Sequence, residues 1–347
     1  MISLVTGAAW LACVALTPLG PWLAARAADV TAGWPEGSRP WATLIVFVAG
    51  LTLVWESIAL PITWQASVRA LQLRRRKTDL QGVLRTQLRD GLLGVVLAIV
   101  AACVVTGAGW IAGERWWALA GAATLPLWLL AGSVTAVAVG ASAPPVAGRP
   151  ALLARLEALS RQSLGRVIPI REWDDAEEEL PAAAVTGLGA GSSILISRSM
   201  VRDWPDDEIG VVVAHELSHH VRRDLWRKAV LDALVACVAL WVGDRVITLM
   251  GHSVSGAAPD LAALPLLGLT VWGMWFLSRP LRFAQSRAHE RAADAWAVRV
   301  TKAPAALGSA IRRMETRHLA EERPSRFTRW FFHRHPTARE RLTAIGE

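Results

Sequence analysis

The sequence predicts a mainly α-helical membrane protein, in which a polytopic bundle of about six spans is joined to a more polar part that carries a short β-hairpin. Of the 347 residues, 53% are hydrophobic, which exceeds the apolar share of ordinary soluble domains. These residues gather in long runs, and a helical span needs ~20 consecutive apolar residues. The six runs cover residues 4–25, 41–66, 91–112, 117–140, 229–250 and 262–278.

Two of these runs leave alternatives open. The second run contains Glu56, and ionisable groups inside a span face a bundle interior or water. Lining a cavity and pairing with a nearby arginine are equally good explanations of Glu56. The fifth run carries Asp232, Asp244 and Arg245, so it fits a partial span as well as a complete one.

The first run is predicted to be an uncleaved membrane anchor. Ala25-Arg26-Ala27 resembles a signal-peptidase site, but no Lys or Arg precedes the apolar stretch, whereas a secretory signal begins with positive charge. The three cysteines lie in apolar runs without metal-ligand spacing and are expected to be packing residues. There are 18 Trp and no Tyr, so any aromatic belt at the membrane surface is built mainly from Trp.

The distribution of charge predicts the orientation in the membrane. The net charge is +8, and the basic residues cluster, which in a membrane protein reports orientation rather than nucleic-acid binding. The most basic loop, 69–89, is predicted to be cytoplasmic. An even number of spans separates this loop from the polar pieces 141–228 and 279–347. Both pieces are therefore expected on the cytoplasmic face of the cell membrane.

The strongest motif lies in the first polar piece and reads H-E-L-S-H over residues 215–219. His215 and His219 are four residues apart, so on a helix they project from one face and can hold one metal ion together. Glu216 stands beside them, where its carboxylate can take a proton from water. H-E-x-x-H is the signature of zinc metalloproteases. The alternative is a solvated helix with two chance histidines.

A third metal ligand is predicted in the second polar piece, where Glu290 and Asp294 are four residues apart. A catalytic zinc takes three protein ligands and leaves one position open. Glu290 would complete the set with His215 and His219, and the set would hold one Zn²⁺ per chain. Asp294 would accept the ring N–H of a ligand histidine and fix its tautomer. The alternative is an acidic pair on a helix surface.

With these residues the chain resembles the M48 family of membrane metallopeptidases. The resemblance rests on H-E-x-x-H and on a second motif, Ser-Arg-x-x-Glu-x-x-Ala-Asp, over 286–294. Four N-terminal spans, Leu60-Pro61 and the end of the basic loop at 88–92 favour the CAAX prenyl protease type 1 branch over the related, shorter HtpX branch. The resemblance implies a zincin-type catalytic domain of the gluzincin class.

The C-terminal residues His335-Pro336 and Arg341 resemble the His-Pro motif of the same family. By that resemblance, His335 would stabilise the oxyanion of the reaction and Arg341 would hold the segment in place. The family usually has an Asn-Ala-Phe-like strand where this chain reads Ala-Ala-Ala over 182–184. An asparagine expected to contact substrate is therefore missing, and prenylated substrates are not implied.

Residues 183–198 are predicted to form a β-hairpin around the glycines of 187–191. A nucleotide-binding glycine loop is the alternative, but its fingerprint spacing and following helix are missing. The strand within 192–198 is predicted to bind the substrate backbone by β-addition, which selects extended or unfolded segments.

These observations predict a zinc-dependent integral-membrane endopeptidase whose active site faces the cytoplasm. Its partners would be a peptide or protein substrate and the lipid bilayer, with no nucleic acid. Two alternatives are a signalling metalloprotease with one dedicated cytoplasmic partner and a catalytically silent, zinc-stabilised scaffold. Retention of Glu216, which binds no metal, argues against the scaffold. The predicted division is a four-span membrane domain (1–141), a catalytic segment (142–228), a membrane hairpin (229–281) and a second catalytic segment (282–347).

Overall fold

The structure is a computed structural model that describes residues 2–73, 80–127, 129, 143–173, 182–187, 191–255, 260–315 and 325–346. The chain forms two compact units. Unit 1 comprises Met1–Thr124 and Ala233–Leu277, and unit 2 comprises Leu125–Asp232 and Ser278–Glu347. The assignment of membrane and catalytic roles to four segments stays a prediction.

The described residues are mostly helical. The helices are α1 (Ile2–Leu16), α2 (Leu19–Val30), α3 (Arg39–Leu73), α4 (Leu80–Ala112), α5 (116–127), α6 (Pro150–Leu164), α7 (Arg198–Asp203), α8 (Asp206–Val221), α9 (Asp224–Leu249), α10 (Ala263–Leu277), α11 (Arg279–Thr301), α12 (Pro304–Glu315), α13 (Arg326–Phe332) and α14 (Ala338–Ala344). A 3₁₀ turn, Gly113–Arg115, separates α4 from α5. The strands are β1 (Ile170–Trp173), β2 (Ala183–Thr186) and β3 (Ser193–Ser197).

Two helical stretches of the described residues are long and apolar enough to cross a membrane, Arg39–Arg69 and Leu80–Leu127. A third is present if α1 and α2 are counted as one span bent by 77°. The bend falls at Pro18, which lacks an N–H and disfavours a helical conformation in the residue before it. The chain is therefore an integral membrane protein by length and composition of its helices.

The described residues thus support two or three spans, fewer than the six that the sequence predicts. Helix α10 is apolar but has only 15 residues, which corresponds to ~22 Å against the ~30 Å of a bilayer core. The predicted fourth run extends to residue 140 and lies partly outside the described residues, as do residues 74–79 of the basic loop. Helix α9 carries the charges that made the fifth run ambiguous.

One of those charges has a partner inside unit 1. The indole N–H of Trp116, which is fully buried, donates to Asp244 at 2.8 Å. Arg245 also pairs with Asp244, at 2.6 Å. A buried carboxylate is costly unless it is hydrogen-bonded, so these contacts explain how α9 tolerates Asp244.

Glu56 packs against two glycines of α4. A Cβ atom added to Gly91 or to Gly94 would lie 3.3 Å from a carboxylate oxygen of Glu56. The glycines therefore leave room on α4 for this side chain, since any larger residue would crowd it. Whether Glu56 lines a cavity or pairs with an arginine stays a prediction.

Unit 2 contains the three-stranded sheet, in the order β1-β3-β2. Strand β2 pairs antiparallel with β3, with Ala183 opposite Ile196, and this confirms the predicted hairpin. Residues 188–190 of its turn lie outside the described residues. Strand β1 pairs with β3 in parallel on the other side.

This strand order corrects the predicted substrate strand. The strand predicted to bind substrate, within 192–198, is β3, and β3 is hydrogen-bonded to a neighbour on both sides. All five of its residues are buried. A central strand has no open edge to which another chain could add, so the prediction was wrong for β3.

The core of unit 2 lies between the sheet and helices α6, α8 and α12. Its fully buried members include Leu152, Leu156, Ile194, Ile209, Leu217 and Leu307. Helix α8 begins directly after Pro205 and has three acidic residues in its first turn, where the positive end of the helix dipole favours them. Because α8 packs on α6, α11 and α12, its second half is held firmly in the interior.

Candidate metal centre

Helices α8 and α11 bring three potential metal ligands together. His215 and His219 lie one turn apart on α8, and Glu290 lies on α11. One ligand atom from each lies within 4.8 Å of the others. The two carboxylate oxygens of Glu290 face different histidines. Oε2 lies 3.5 Å from Nε2 of His215, and Oε1 lies 3.8 Å from Nε2 of His219. The three side chains therefore face one point.

The other ring nitrogen of each histidine contacts a buried aspartate. Nδ1 of His215 lies 2.9 Å from Asp294, and Nδ1 of His219 lies 3.0 Å from Asp224. An ionised carboxylate can only accept, so each Nδ1 carries a proton, and Nε2 is the nitrogen that offers a lone pair when the ring is neutral. A histidine needs this tautomer to bind a metal through Nε2.

Asp294 is held in turn by Arg341 of α14. Nε and Nη2 of Arg341 donate to the two oxygens of Asp294 at 2.8 and 2.7 Å. Burial would raise the pKa of Asp294, but the hydrogen bonds from His215 and Arg341 lower it below the ordinary value. Asp294 therefore stays ionised, and Arg341 ties α14 to α11.

Asp224 is the supporting residue that sequence reasoning missed. It begins α9, five residues after His219, and is buried. The preceding Arg223 has φ 56°, a left-handed conformation that residues other than glycine rarely adopt. This residue turns the chain sharply between α8 and α9 and brings Asp224 back beside His219. The sequence shows only that an acidic residue follows His219 by five positions. That spacing is not the three or four residues that place two side chains on one face of a helix.

The charges around the histidines favour a cation. Burial would lower the pKa of His215, but hydrogen bonds with Asp294 and Glu290 and the charge of Glu216 raise it to about 9. Burial would raise the pKa of Glu290, yet contacts with His215 and His335 hold it well below its usual range. A site that retains a proton this strongly has surplus negative charge, which a divalent cation would neutralise.

The spacing of the ligand atoms fits a small tetrahedral ion. Zinc bound ~2.0 Å from each ligand needs ligand atoms ~3.3 Å apart, close to the 3.5 and 3.8 Å between the histidines and Glu290. Two imidazoles and one carboxylate are also a donor set that catalytic zinc uses, with a fourth position left open. The residues present therefore fit zinc.

Glu216 lies at the same cavity as two of the ligands. The cavity has a volume of about 630 Å³, and its walls include Ala182, Ala183, His215, Glu216, Glu290 and His335. Burial raises the pKa of Glu216, against the opposing charges of His215 and His219. A carboxylate with a raised pKa is a stronger base than an ordinary one.

His335 stands at the rim of this cavity, with its side chain 65% exposed. Its Nδ1 lies 3.3 Å from Oε2 of Glu290, so it contacts the third ligand. Arg287 of α11 holds the segment by donating to the carbonyl of His333 at 2.7 Å. A capping box then begins α14 at Thr337. The backbone around His335 is therefore fixed on both sides.

The remaining histidines of this region serve other contacts. Nε2 of His220 donates to the carbonyl of Val185 at 3.0 Å and ties α8 to β2. Burial lowers the pKa of His220, so its ring is neutral. His289, next to Glu290, lies 3.6 Å from Asp224. The metal-ligand cluster found among the described residues includes neither His220 nor His289.

Comparisons with known proteins point to a peptidase family. The sequence model described as "Peptidase family M48" matches residues 173–347, which are 175 of the 347 residues. A Bacillus subtilis protein named "Uncharacterized metalloprotease YhfN" is 28% identical over 166 residues, or 46% of this chain and 39% of that protein. A "Protease HtpX homolog" of Nostoc punctiforme is 31% identical over 134 residues, or 38% of this chain and 45% of that protein. The aligned part is less than half of each relative.

A solved structure shares the fold over nearly the whole chain. The crystal structure of S. mikatae Ste24p matches with a TM-score of 0.59, covers 99% of both chains and has 14% sequence identity. At that identity the likeness concerns the fold alone. The relation to M48 metallopeptidases that the motifs predicted is confirmed, with HtpX homologues among the sequence relatives and Ste24p as a structural neighbour.

Proposed function

The chain belongs to peptidase family M48, and we propose that it is a zinc-dependent integral-membrane endopeptidase that cuts extended or unfolded segments of membrane or cytoplasmic proteins. Family membership supports a metallopeptidase, and the apolar helices support a membrane location. The observation that carries the proposal is the convergence of His215, His219 and Glu290, with Glu216 at the same cavity.

In the proposed mechanism, three residues bind the metal, one transfers protons and one stabilises the oxyanion. Zinc bound by His215, His219 and Glu290 would supply a Lewis acid that polarises the scissile carbonyl and lowers the pKa of water. Glu216 takes the proton of the attacking water and later delivers it to the leaving amine. Its raised pKa suits both steps, because the group must accept a proton and then release it. His335 donates a hydrogen bond to the oxyanion that develops on the carbonyl.

The aspartates act through the histidines. Asp294 and Asp224 accept hydrogen bonds from Nδ1–H of His215 and His219 and so hold both rings with Nε2 directed at the site. Such partners orient a metal-binding ring and raise its basicity. Arg341 adds a positive charge that keeps Asp294 ionised and in place.

We propose that the open edge of β2, rather than β3, binds the substrate backbone. The carbonyl of Ala182 accepts from the N–H of Ser197 in β3 at 2.9 Å. Antiparallel pairing alternates, so the N–H and C=O of Ala183 point to the outer edge, and Ala183 also lines the cavity. Two residues further along β2, the carbonyl of Val185 already accepts a hydrogen bond from His220. A substrate strand would therefore pair beside Ala183, next to the metal centre.

The direct test is cleavage of an unfolded protein by the purified full-length chain in detergent. Activity should disappear with a zinc chelator and return when zinc is added. The same substrate in its folded state should be spared, because only an extended segment can add to a strand. Undiminished activity after complete removal of zinc would contradict the proposal.

A peptide series tests the strand separately. Each peptide carries one N-methyl group on a different backbone nitrogen, which deletes one possible strand hydrogen bond. KM should rise at alternate positions, because only every second N–H of an added strand faces β2. Equal effects at all positions, or none, would show that substrate does not bind as a strand.

The orientation of the site is part of the proposal. The basic loop over 69–89 favours a cytoplasmic location under the positive-inside rule. The sequence predicts two spans, 91–112 and 117–140, between this loop and the polar piece that begins at 141, and two spans would bring that piece to the same side.

A further inference from the structure

Helix α13 carries an aromatic face that unit 2 leaves exposed. Phe327, Trp330 and Phe331 are three and four residues apart and share one side of the helix. The rings of Phe327 and Phe331 stack with centroids 5.6 Å apart. Phe327 and Trp330 are nevertheless 63% and 52% exposed. A cluster of large exposed apolar side chains marks a binding surface.

Another side of α13 is fixed to the first turns of α11. The guanidinium of Arg279 lies 5.1 Å from the ring centre of Phe332. Arg287 donates to the carbonyl of Arg329 at 3.4 Å, and Arg329 forms an ion pair with Glu340 of α14. The aromatic face is therefore held in a defined direction by contacts within unit 2.

The N-terminus of α11 follows an apolar helix in the chain. Arg279 begins α11 directly after Ser278, and the preceding helix α10 has no charged residue over Ala263–Leu277. Basic side chains at the end of an apolar helix extend to the lipid headgroups. Arg279 follows the last residue of α10 by two positions, so an α10 inserted into the bilayer would bring Arg279, and Phe332 beside it, to the headgroup level.

Further apolar side chains are exposed nearby in unit 2. Helices α9 and α11 lie side by side in unit 2, because Arg282 donates to the buried Asp232 at 2.7 Å and Gln285 donates to the carbonyl of Arg227 at 3.2 Å. Trp226 on α9 is 44% exposed, and Leu281 on α11 is 58% exposed. Unit 2 therefore exposes apolar side chains on α9 and α11 as well as on α13.

Charge indicates the chemistry of the partner. Arg326 begins α13 and Arg334 follows it, and both are exposed. With Arg279 they place positive charge around the aromatic face. At the surface of a bilayer that contains anionic lipids, tryptophan and phenylalanine insert among the headgroups and arginine binds the negative charge.

We propose that the aromatic face of α13 docks into the headgroup layer of an anionic bilayer and seats unit 2 on the membrane surface. Phe332 and His333 also line the cavity of the metal centre, so docking brings the mouth of that cavity next to the headgroups. One consequence rests on the proposed protease function: peptide bonds close to the membrane surface are the preferred substrates. The docking itself does not depend on proteolysis.

The test measures the surroundings of single labels in the full-length chain. Cys13, Cys103 and Cys237 are replaced by serine, and one cysteine is introduced by Phe327→Cys, with Trp330→Cys as an independent second position. Gln162→Cys, at an exposed position of α6, is the matched control. Each protein is labelled with bimane and placed in lipid nanodiscs, which expose both faces of the bilayer to water, with phosphatidylcholine alone or mixed with phosphatidylserine.

Docking predicts opposite quenching at the two kinds of position. Brominated lipid should remove most of the bimane fluorescence at 327 and 330 and leave that at 162 unchanged, whereas aqueous iodide should do the reverse. Phosphatidylserine should strengthen the lipid quenching at 327. Arg326→Gln should reduce that gain, and Arg161→Gln on α6 should not.

Two outcomes would overturn the proposal. Iodide quenching at 327 and 330 as strong as at 162 would show a surface that faces water. Protection from both quenchers, in nanodiscs and in detergent alike, would show that protein covers the face, either a second copy or another segment of this chain. Because neither readout involves cleavage, the result stands whether or not the chain proves to be a protease.

Discussion

The two histidines of the metal centre are supported in different ways. The side chain of His215 is 9% exposed, and its partner Asp294 receives two hydrogen bonds from Arg341. The side chain of His219 is 25% exposed. Its partner Asp224 has longer contacts, with Arg222 at 3.8 Å, Arg227 at 3.9 Å and His289 at 3.6 Å.

This difference indicates which side of the centre fixes its geometry. A buried carboxylate that accepts two hydrogen bonds from one guanidinium is held by strong, directional contacts. On the other side, two arginines and His289 contact Asp224 at longer distances, and water has more access to His219. We infer that Asp294 and Arg341 set the position of the metal, while the corner between α8 and α9 adapts to it.

Glu290 is the residue where the two sides meet, so its loss should have the largest effect. Glu290→Ala removes the oxygens that face both histidines, and we expect the purified protein to contain almost no zinc and to be inactive. Metal analysis after gel filtration measures this directly. Glu157→Ala, at an exposed acid of α6, is the control and should keep its zinc. Wild-type zinc content in Glu290→Ala would place the third ligand elsewhere.

His335→Ala tests whether the residue at the rim acts on the reaction or on the metal. We expect kcat to fall about 10²–10³-fold, the scale of one oxyanion donor, while KM stays nearly unchanged. Zinc content must be measured too, because Nδ1 of His335 lies 3.3 Å from Glu290. His333→Ala keeps the carbonyl that Arg287 binds and serves as the control. Loss of zinc in His335→Ala would assign it to the metal site instead.

Replacing the two aspartates compares the two sides directly. Asp294→Ala should weaken zinc binding by roughly 10–100-fold, the usual effect of removing such a partner. Asp224→Ala should weaken it less, because water can replace the lost acceptor at the more exposed His219. Competition with a chromophoric chelator gives both affinities. A larger loss in Asp224→Ala would reverse our assignment of the fixed side.

We also expect a pH dependence that belongs to the His215 side. In the metal-free protein the pKa of His215 is raised from 6.5 to about 9. A raised pKa contributes stability that is fully present below the unfolded value of 6.5 and is lost as the pH rises through about 9. Zinc must displace the same proton, so its apparent affinity should rise with pH until about 9.

Calorimetry in buffers of different ionisation enthalpy counts the protons released when zinc binds. Near neutral pH we expect about one proton from His215, and almost none above the raised pKa. Asp294→Asn removes a negative charge that raises this pKa, so the release should shift to lower pH. Zinc binding without proton release near neutral pH would contradict the charge balance described for the site.

The sequence alone identified the parts of the centre that follow a helical period. His215 and His219, and likewise Glu290 and Asp294, are pairs four residues apart, and the structure brings these two pairs together. Their catalytic and metal-binding roles stay predictions. Asp224 escaped notice because it reaches His219 across a left-handed corner at Arg223, which no period in the sequence reveals.

Strand order and span count depended on information that local patterns do not contain. The hairpin of β2 and β3 followed from two short predicted strands around the glycines of 187–191, but β3 is central because β1, at Ile170–Trp173, pairs with it in parallel. The uninterrupted burial of Ser193–Ser197 is the sign of such a strand. Likewise, apolar length alone does not show a bend such as the one at Pro18, nor the short reach of α10.

Zinc content and kcat measured on one preparation of Glu216→Gln separate proton transfer from metal binding. Glu216 lies at the cavity beside His215 but outside the ligand cluster, and glutamine keeps its shape while removing its basicity. We predict one zinc per chain, as in the wild type, together with a loss of roughly 10²–10⁴ in kcat, the usual contribution of a general base. Wild-type kcat in the zinc-loaded variant, or loss of the zinc itself, would contradict the role assigned to Glu216.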